Sequence, residues 1–159
     1  MSSLQRGAYQ VYRVLIAVFF AACLVQIFLA GRGVFGIRSR SGSDSPGSFF
    51  EHQKSLDGHR AVGGILGLVS IVMFLLALVV WRNKRLIGQT VGLAFATFFL
   101  QHLTAMPSHP WVAALHPVIG VSILGAAGLL AHTAWRSAPL EIRPAAPAAT
   151  AAPTGGSQA

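Results

Sequence analysis

The chain predicts an all-α fold class: an integral membrane four-helix bundle. Three observations predict it. Four apolar runs each approach the roughly 20 residues needed to cross the hydrocarbon core. Charged residues make up only 10% of the 159 residues, against about a quarter in soluble domains. The runs are continuous rather than alternating, and a backbone in lipid must bond internally, so helices rather than barrel strands are expected.

The apolar runs cover residues 14–30, 61–81, 86–103 and 116–135, and the spans built on them are 11–30, 61–81, 86–105 and 110–135. The first run also has features of a signal peptide, with Arg6 and Arg13 as its basic flank. Its apolar stretch is longer than such a peptide normally carries, and Leu29-Ala30-Gly31 is a weak cleavage site. It is therefore read as a span. Residues 1–136 form one transmembrane domain, and the Ala/Pro-rich residues 137–159 are expected to be a disordered cytoplasmic tail. The loop between the first two spans is expected from residue 31 to about residue 58, with a short surface helix over 49–57.

The net charge of +8 does not point to nucleic acid, because the basic residues flank apolar runs. With the N-terminus inside, Arg6, Arg13, Arg82, Lys84, Arg85, Arg136 and Arg143 lie inside, and Arg32, Arg38, Arg40, Lys54 and Arg60 lie outside. The basic Arg82–Arg85 loop, set against a loop over 104–115 with no Lys or Arg, places both termini in the cytoplasm of a bacterial inner membrane. Cys23 is the single cysteine, so no intrachain disulfide forms.

The second and fourth spans begin alike. Both carry His-x-x-x-Gly, as His59 with Gly63 and His116 with Gly120. The preceding spans end alike, in Gln26-Ile-Phe-Leu-Ala30 and Gln101-His-Leu-Thr-Ala105. The simplest account is two helix hairpins related by a pseudo-two-fold axis along the membrane normal.

Six histidines are present, and all but His132 fall towards the outer side. His59 and His116 sit at matched depth, each with small residues below it: Gly63, Gly67 and Ser70, and Gly120 and Gly128. Two readings of the glycines stand. They let helices pack closely, or they make room for a flat macrocycle clamped between two imidazoles on facing helices. Arg60 would pair with a haem propionate or simply lie at the interface. His102 is an alternative ligand. The outer histidines and Met106 also admit a copper or zinc site, although no spacing fixes a geometry. His52 is expected to be solvated, His109 to lie in a turn, and His132 to be a helix-end residue. Gln26, Gln89 and Gln101 are expected to bond between helices. No Asp or Glu lies in any span, which argues against an ion-coupled transporter, and no catalytic constellation is recognised.

Asp57-x-His59-Arg60 with Gly63, followed by His116 on the fourth span, resembles one four-helix half of the haem A synthase family. Leu115-His116-Pro117-Val118-Ile119-Gly120 resembles a motif of uncharacterised four-helix bacterial membrane proteins. The resemblance covers residues 14–135 in architecture and a handful of residues in motif. It implies a haem between histidines of the second and fourth helices. It departs where the family has a glutamate three residues before the first histidine: Leu56 stands there, with Asp57 one residue later. With one site rather than two, the catalytic activity does not carry over. The expectation is a b-type haem protein in electron transfer or redox sensing, held by His59 and His116, with Arg60, Gly63, Gly67 and Gly120 around the cofactor. The alternatives are a non-haem accessory subunit of a larger membrane complex, with that complex or a second copy as partner, and a small transporter or metal-binding protein.

Overall fold

The computed structural model describes residues 3–40, 54, 56–81, 83–105 and 110–136. Among them there is no strand. Four helices make up the fold: α1 (Ser3–Arg40), α2 (Asp57–Val80), α3 (Lys84–Thr104) and α4 (Pro110–Arg136). All four are long and apolar enough to cross a membrane. The chain is thus a multi-pass membrane protein, and its lipid-facing surface is apolar. Val14, Val18, Phe28, Leu68, Leu75, Phe99, Val118 and Val121 all lie on the outside of the bundle.

Each helix contributes one seam to the interior. On α1 it runs Tyr9, Tyr12, Ile16, Phe19, Cys23; on α2, Leu66, Ser70, Met73, Ala77, Val80. On α4 it runs Ile123, Ala127, Leu130, Ala134. The steps of three and four keep each seam on one side of its helix, the pattern of knobs-into-holes bundles. Helix α1 packs on α2 and α4, and α3 packs on the same two. The chain therefore goes round the ring in order, and α2 faces α4 across the diagonal.

α1 corrects one expectation. It does not stop at Gly31 but continues to Arg40, so the loop begins about ten residues later than expected. Glycine costs a helix only about 1 kcal/mol relative to alanine. Val34, Phe35 and Ile37 follow, and the next proline is Pro46. At 38 residues α1 is about 57 Å long, far more than a bilayer core requires. The expected surface helix over 49–57 and the tail over 137–159 fall almost wholly outside the described residues; within the former, α2 already begins at Asp57.

α4 starts at Pro110, where the 110–135 span was expected to begin, so His116 lies inside the helix and Pro117 follows in its interior. Proline has no N–H, so the Ala113 carbonyl lacks its usual intrahelical donor, which membrane helices tolerate.

α3 contains a feature with no sequence signal. Residues Ala96–Leu100 form a π turn, and the amide of Gln101 reaches back to the carbonyl of Ala96. The extra residue rotates everything after it by about 100° relative to an uninterrupted α-helix. Gln101, His102 and Thr104 follow directly. At the other end of α3, Asn83 caps the helix by accepting a bond from the Arg85 amide at 2.9 Å.

Candidate functional site

Where the seams reach one end of the bundle, the side chains turn from apolar to polar. Gln26 continues the α1 seam beyond Cys23, and His59 continues the α2 seam beyond Leu66 and Gly63. Gln101 comes from α3, and His116 from α4 one step beyond Gly120. One polar residue from each helix thus forms a single layer.

The hydrogen bonds of this layer repeat. His59 Nδ1 lies 3.3 Å from the backbone oxygen of Gln26. His116 Nδ1 lies 3.1 Å from the backbone oxygen of Gln101. A carbonyl can only accept, so both imidazoles carry their proton on Nδ1 and keep a lone pair on Nε2. Each histidine of the second helix in a hairpin is therefore oriented by the glutamine backbone of the first. The expected pseudo-two-fold repeat is visible in these contacts. It is inexact: Gln26 Nε2 donates to the His59 carbonyl oxygen at 2.7 Å, whereas Gln101 Nε2 stands 3.0 Å from His116 Nε2 and donates to it. Thr104 Oγ1 adds a long 3.4 Å contact to His116 Nδ1 while donating to the Leu100 carbonyl.

Across the diagonal the two rings meet. Their centroids are 6.0 Å apart with planes inclined at 67°. The rings adjoin a cavity of about 330 Å³, lined chiefly by apolar atoms and bounded by Cys23, Thr97, His102 and Ile123 as well as the polar layer. That volume is at the lower end of small-molecule sites. The Oε1 atoms of Gln26 and Gln101 are buried with no partner among the described residues. Each requires a donor that the surrounding protein does not supply, such as ordered water.

The other expected residues divide. Arg60 and Gly63 border the cavity, as does Gly120. Arg60 is more than half exposed and pairs loosely with Asp57 at 3.8 Å. Gly67 is not part of the lining: a Cβ there would meet Phe98 at 3.3 Å and His102 at 3.7 Å. At Gly63 a Cβ would come within 2.9 Å of Gln26 Nε2, and at Gly128 within 3.1 Å of Phe20. Side chains occupy the space beside Gly67 and Gly128, which therefore serve close packing, whereas Gly63 both meets the Gln26 amide and borders the cavity. His102 borders the cavity beside Phe98, with ring centroids 6.0 Å apart. His132 is exposed on α4 and takes no part. His52, Met106 and His109 lie outside the described residues.

What the sequence reading missed is the work of the two glutamines. It assigned them only interhelical bonding, yet their backbone oxygens fix the histidine tautomers. The matched Gln-x-x-x-Ala ends of α1 and α3 were the available signal.

The donor set limits what can bind. Among the described residues no group of three His, Cys, Asp or Glu side chains converges. A zinc ion needs three or four protein ligands. Two imidazoles are what a haem iron takes from a protein when both axial positions are filled. Both Nδ1 atoms are already tied to backbone oxygens, the support that ligating histidines usually have. In ligand number the described residues suit a haem iron better than a zinc ion.

Fold and site together define a multi-pass membrane four-helix bundle with a paired-imidazole cavity at one end. The chain matches no protein-family model, no curated protein and no solved structure.

Proposed function

We propose that this protein binds a b-type haem between His59 and His116 and serves electron transfer or redox sensing in a bacterial inner membrane. The observation that carries the proposal is the 6.0 Å spacing of two Nδ1-anchored imidazoles on diagonal helices beside a cavity. Bound haem would supply a one-electron iron couple. The chain's own part is to orient both imidazoles through Gln26 and Gln101, to present two Nε2 lone pairs, and to surround the site with apolar side chains. Gln101 has a further part. Its amide caps His116 Nε2 and has to rotate away before that nitrogen can act as a ligand. Arg60, at the rim, supplies a cation for a carboxylate.

The test is spectroscopic. Full-length protein expressed with ample haem should purify red, give a low-spin b-type spectrum on reduction, and bind carbon monoxide poorly. A colourless product would overturn the proposal and leave the accessory-subunit reading in its place. A red product whose His59→Ala and His116→Ala variants both stay low-spin would keep the cofactor and move the ligands, with His102 next.

The orientation belongs to the same proposal, with both termini cytoplasmic. In a Cys23→Ala background, a cysteine at Ser43 should react with an impermeant thiol reagent on intact cells, and one at Ser157 should not. Labelling of Ser157→Cys alone reverses the orientation.

A further inference from the structure

We propose that Arg13, clamped at the α1–α4 seam, is the binding site for the phosphate of an anionic membrane lipid. The site lies at the end of the bundle opposite the histidines and does not depend on the haem reading.

Arg13 is held on aromatic faces. Its guanidinium carbon lies 4.2 Å from the centre of the Trp135 ring and 5.6 Å from that of Tyr9. Tyr9 in turn donates its hydroxyl to the Ala134 carbonyl at 2.7 Å, locking α1 to α4 beside the arginine. A planar cation held over a ring has its orientation fixed before any ligand arrives.

Among the described residues the same group has no counter-ion. Arg13 has no ion pair and no hydrogen bond to a described residue, and its Nε is buried without a partner. The terminal nitrogens stay open to the surroundings. The other charged residues described at this end of the helices are Arg6, Lys84, Arg85 and Arg136, all basic. Asp57, the acidic side chain among the described residues, is at the histidine end, paired with Arg60. A fixed guanidinium with free donors and no acidic partner among the described residues calls for an oxyanion that it can grip in bidentate fashion.

Location identifies the source of that anion. The apolar run of α1 begins at the next residue, Val14. Tyr9 and Trp135 flank the arginine, and Trp81 stands edge-on to Tyr9, as aromatic side chains gather at the headgroup level. Exposed Val14 and Val18 continue along α1 into the hydrocarbon zone, offering an apolar face for an acyl chain. A phosphate at this depth belongs to a lipid, and basic sites between membrane helices are suited to anionic headgroups.

The site is also single. Superposing the repeat through Gln26 on Gln101 and through His116 on His59 puts Gly88 at the level of Arg13, or Ile87 allowing for the π turn. Leu78 falls at the level of Trp135. The α2–α3 seam therefore has neither the cation nor the ring.

Native mass spectrometry of the full chain in detergent, titrated with phosphatidylglycerol or with phosphatidylcholine of the same acyl chains, tests the proposal. The wild type should hold phosphatidylglycerol more tightly. Arg13→Gln should weaken that binding at least about fivefold, the worth of one basic residue near a membrane surface, and leave phosphatidylcholine unchanged. Arg13→Lys should fall between, since it keeps the charge and loses the planar stack. If Arg13→Gln does not fold, Trp135→Leu removes the stacking ring while keeping the charge, and the same direction of change is expected. Equal binding of the two lipids overturns the proposal, as does an unchanged affinity in these variants. So does an equal loss in Arg6→Gln, which would mean a diffuse surface potential. Inorganic phosphate that competes at lipid-like concentration would make this a free-anion site and reject the lipid.

Discussion

The two ends of this bundle are built on the same four seams and finish them in opposite ways. At one end the seams close. Tyr12 is fully buried and its hydroxyl meets Thr90 Oγ1 at 3.0 Å. Trp81 stands edge-on to Tyr9 and Tyr12, with centroids 5.6 and 5.8 Å apart. At the other end the seams stay open around about 330 Å³, with two imidazoles facing each other and two amide oxygens unpartnered. The repeat is legible only at the open end. Gln26 matches Gln101 and His59 matches His116, whereas Arg13, Tyr12 and Trp135 have no counterparts of like chemistry. The difference teaches that pairing of the hairpins is kept where the two halves share one site, and dropped where they merely pack. Unpartnered polar atoms are costly, and each end keeps two, Gln26 and Gln101 Oε1 at one and Arg13 Nε and Trp81 Nε1 at the other, so it is the cavity that marks the histidine end as set up for a ligand.

The comparison can be broken most directly at the open end. On the haem proposal His116→Ala should lower cofactor affinity by at least about 100-fold, since removing only a supporting partner of a ligand already costs about 10–100-fold. Haem retention, measured by absorbance after gel filtration, checks this. The same substitution at exposed His132 should leave haem content unchanged.

Packing gives the next largest effect. Gly63→Leu has to displace the Gln26 amide, 2.9 Å from where its Cβ would stand. A loss of about 1–3 kcal/mol is expected, as for overpacked cores. Gly67→Leu should behave similarly against Phe98. Gly88 near the closed end has nothing within 4 Å. Gly88→Ala should therefore stabilise by about 0.5–1 kcal/mol through helix propensity. Thermal unfolding in detergent reads all three, and a destabilised Gly88→Ala would show that this face packs against something further.

A smaller effect is expected at Gln101. Leucine there keeps the backbone oxygen that anchors His116 Nδ1 and removes the amide that caps Nε2. Haem affinity should rise by a few-fold, the worth of about 1 kcal/mol for one neutral hydrogen bond. A fall would mean that the amide supports the bound state instead. The smallest effect is expected for Tyr12→Phe, about 0.6 kcal/mol, since hydrogen bonds between membrane helices average that much. Thr90 keeps its bond to the Leu86 carbonyl in that variant.

Sequence by itself determined the membrane class, the number of helices and the identity of the paired histidines. Hydropathy is additive along the chain, so the four spans can be read without knowing any contact. A repeated His-x-x-x-Gly also puts histidine and glycine on one helix face whatever the neighbours do. Tertiary structure decided the rest. Only packing shows that α1 runs on to Arg40, and only the ring of contacts sets His59 diagonally opposite His116. The π turn at Ala96–Leu100 has no local code, yet everything after it on α3, Gln101 included, is rotated by it. Gly67 reads equally well as packing or as cavity until Phe98 is seen filling the space beside it, whereas Gly63 both packs on Gln26 and borders the cavity. The physical reason is the same in each case. Periodicity says which way a side chain points from its own helix, and the partner helix decides what it meets there.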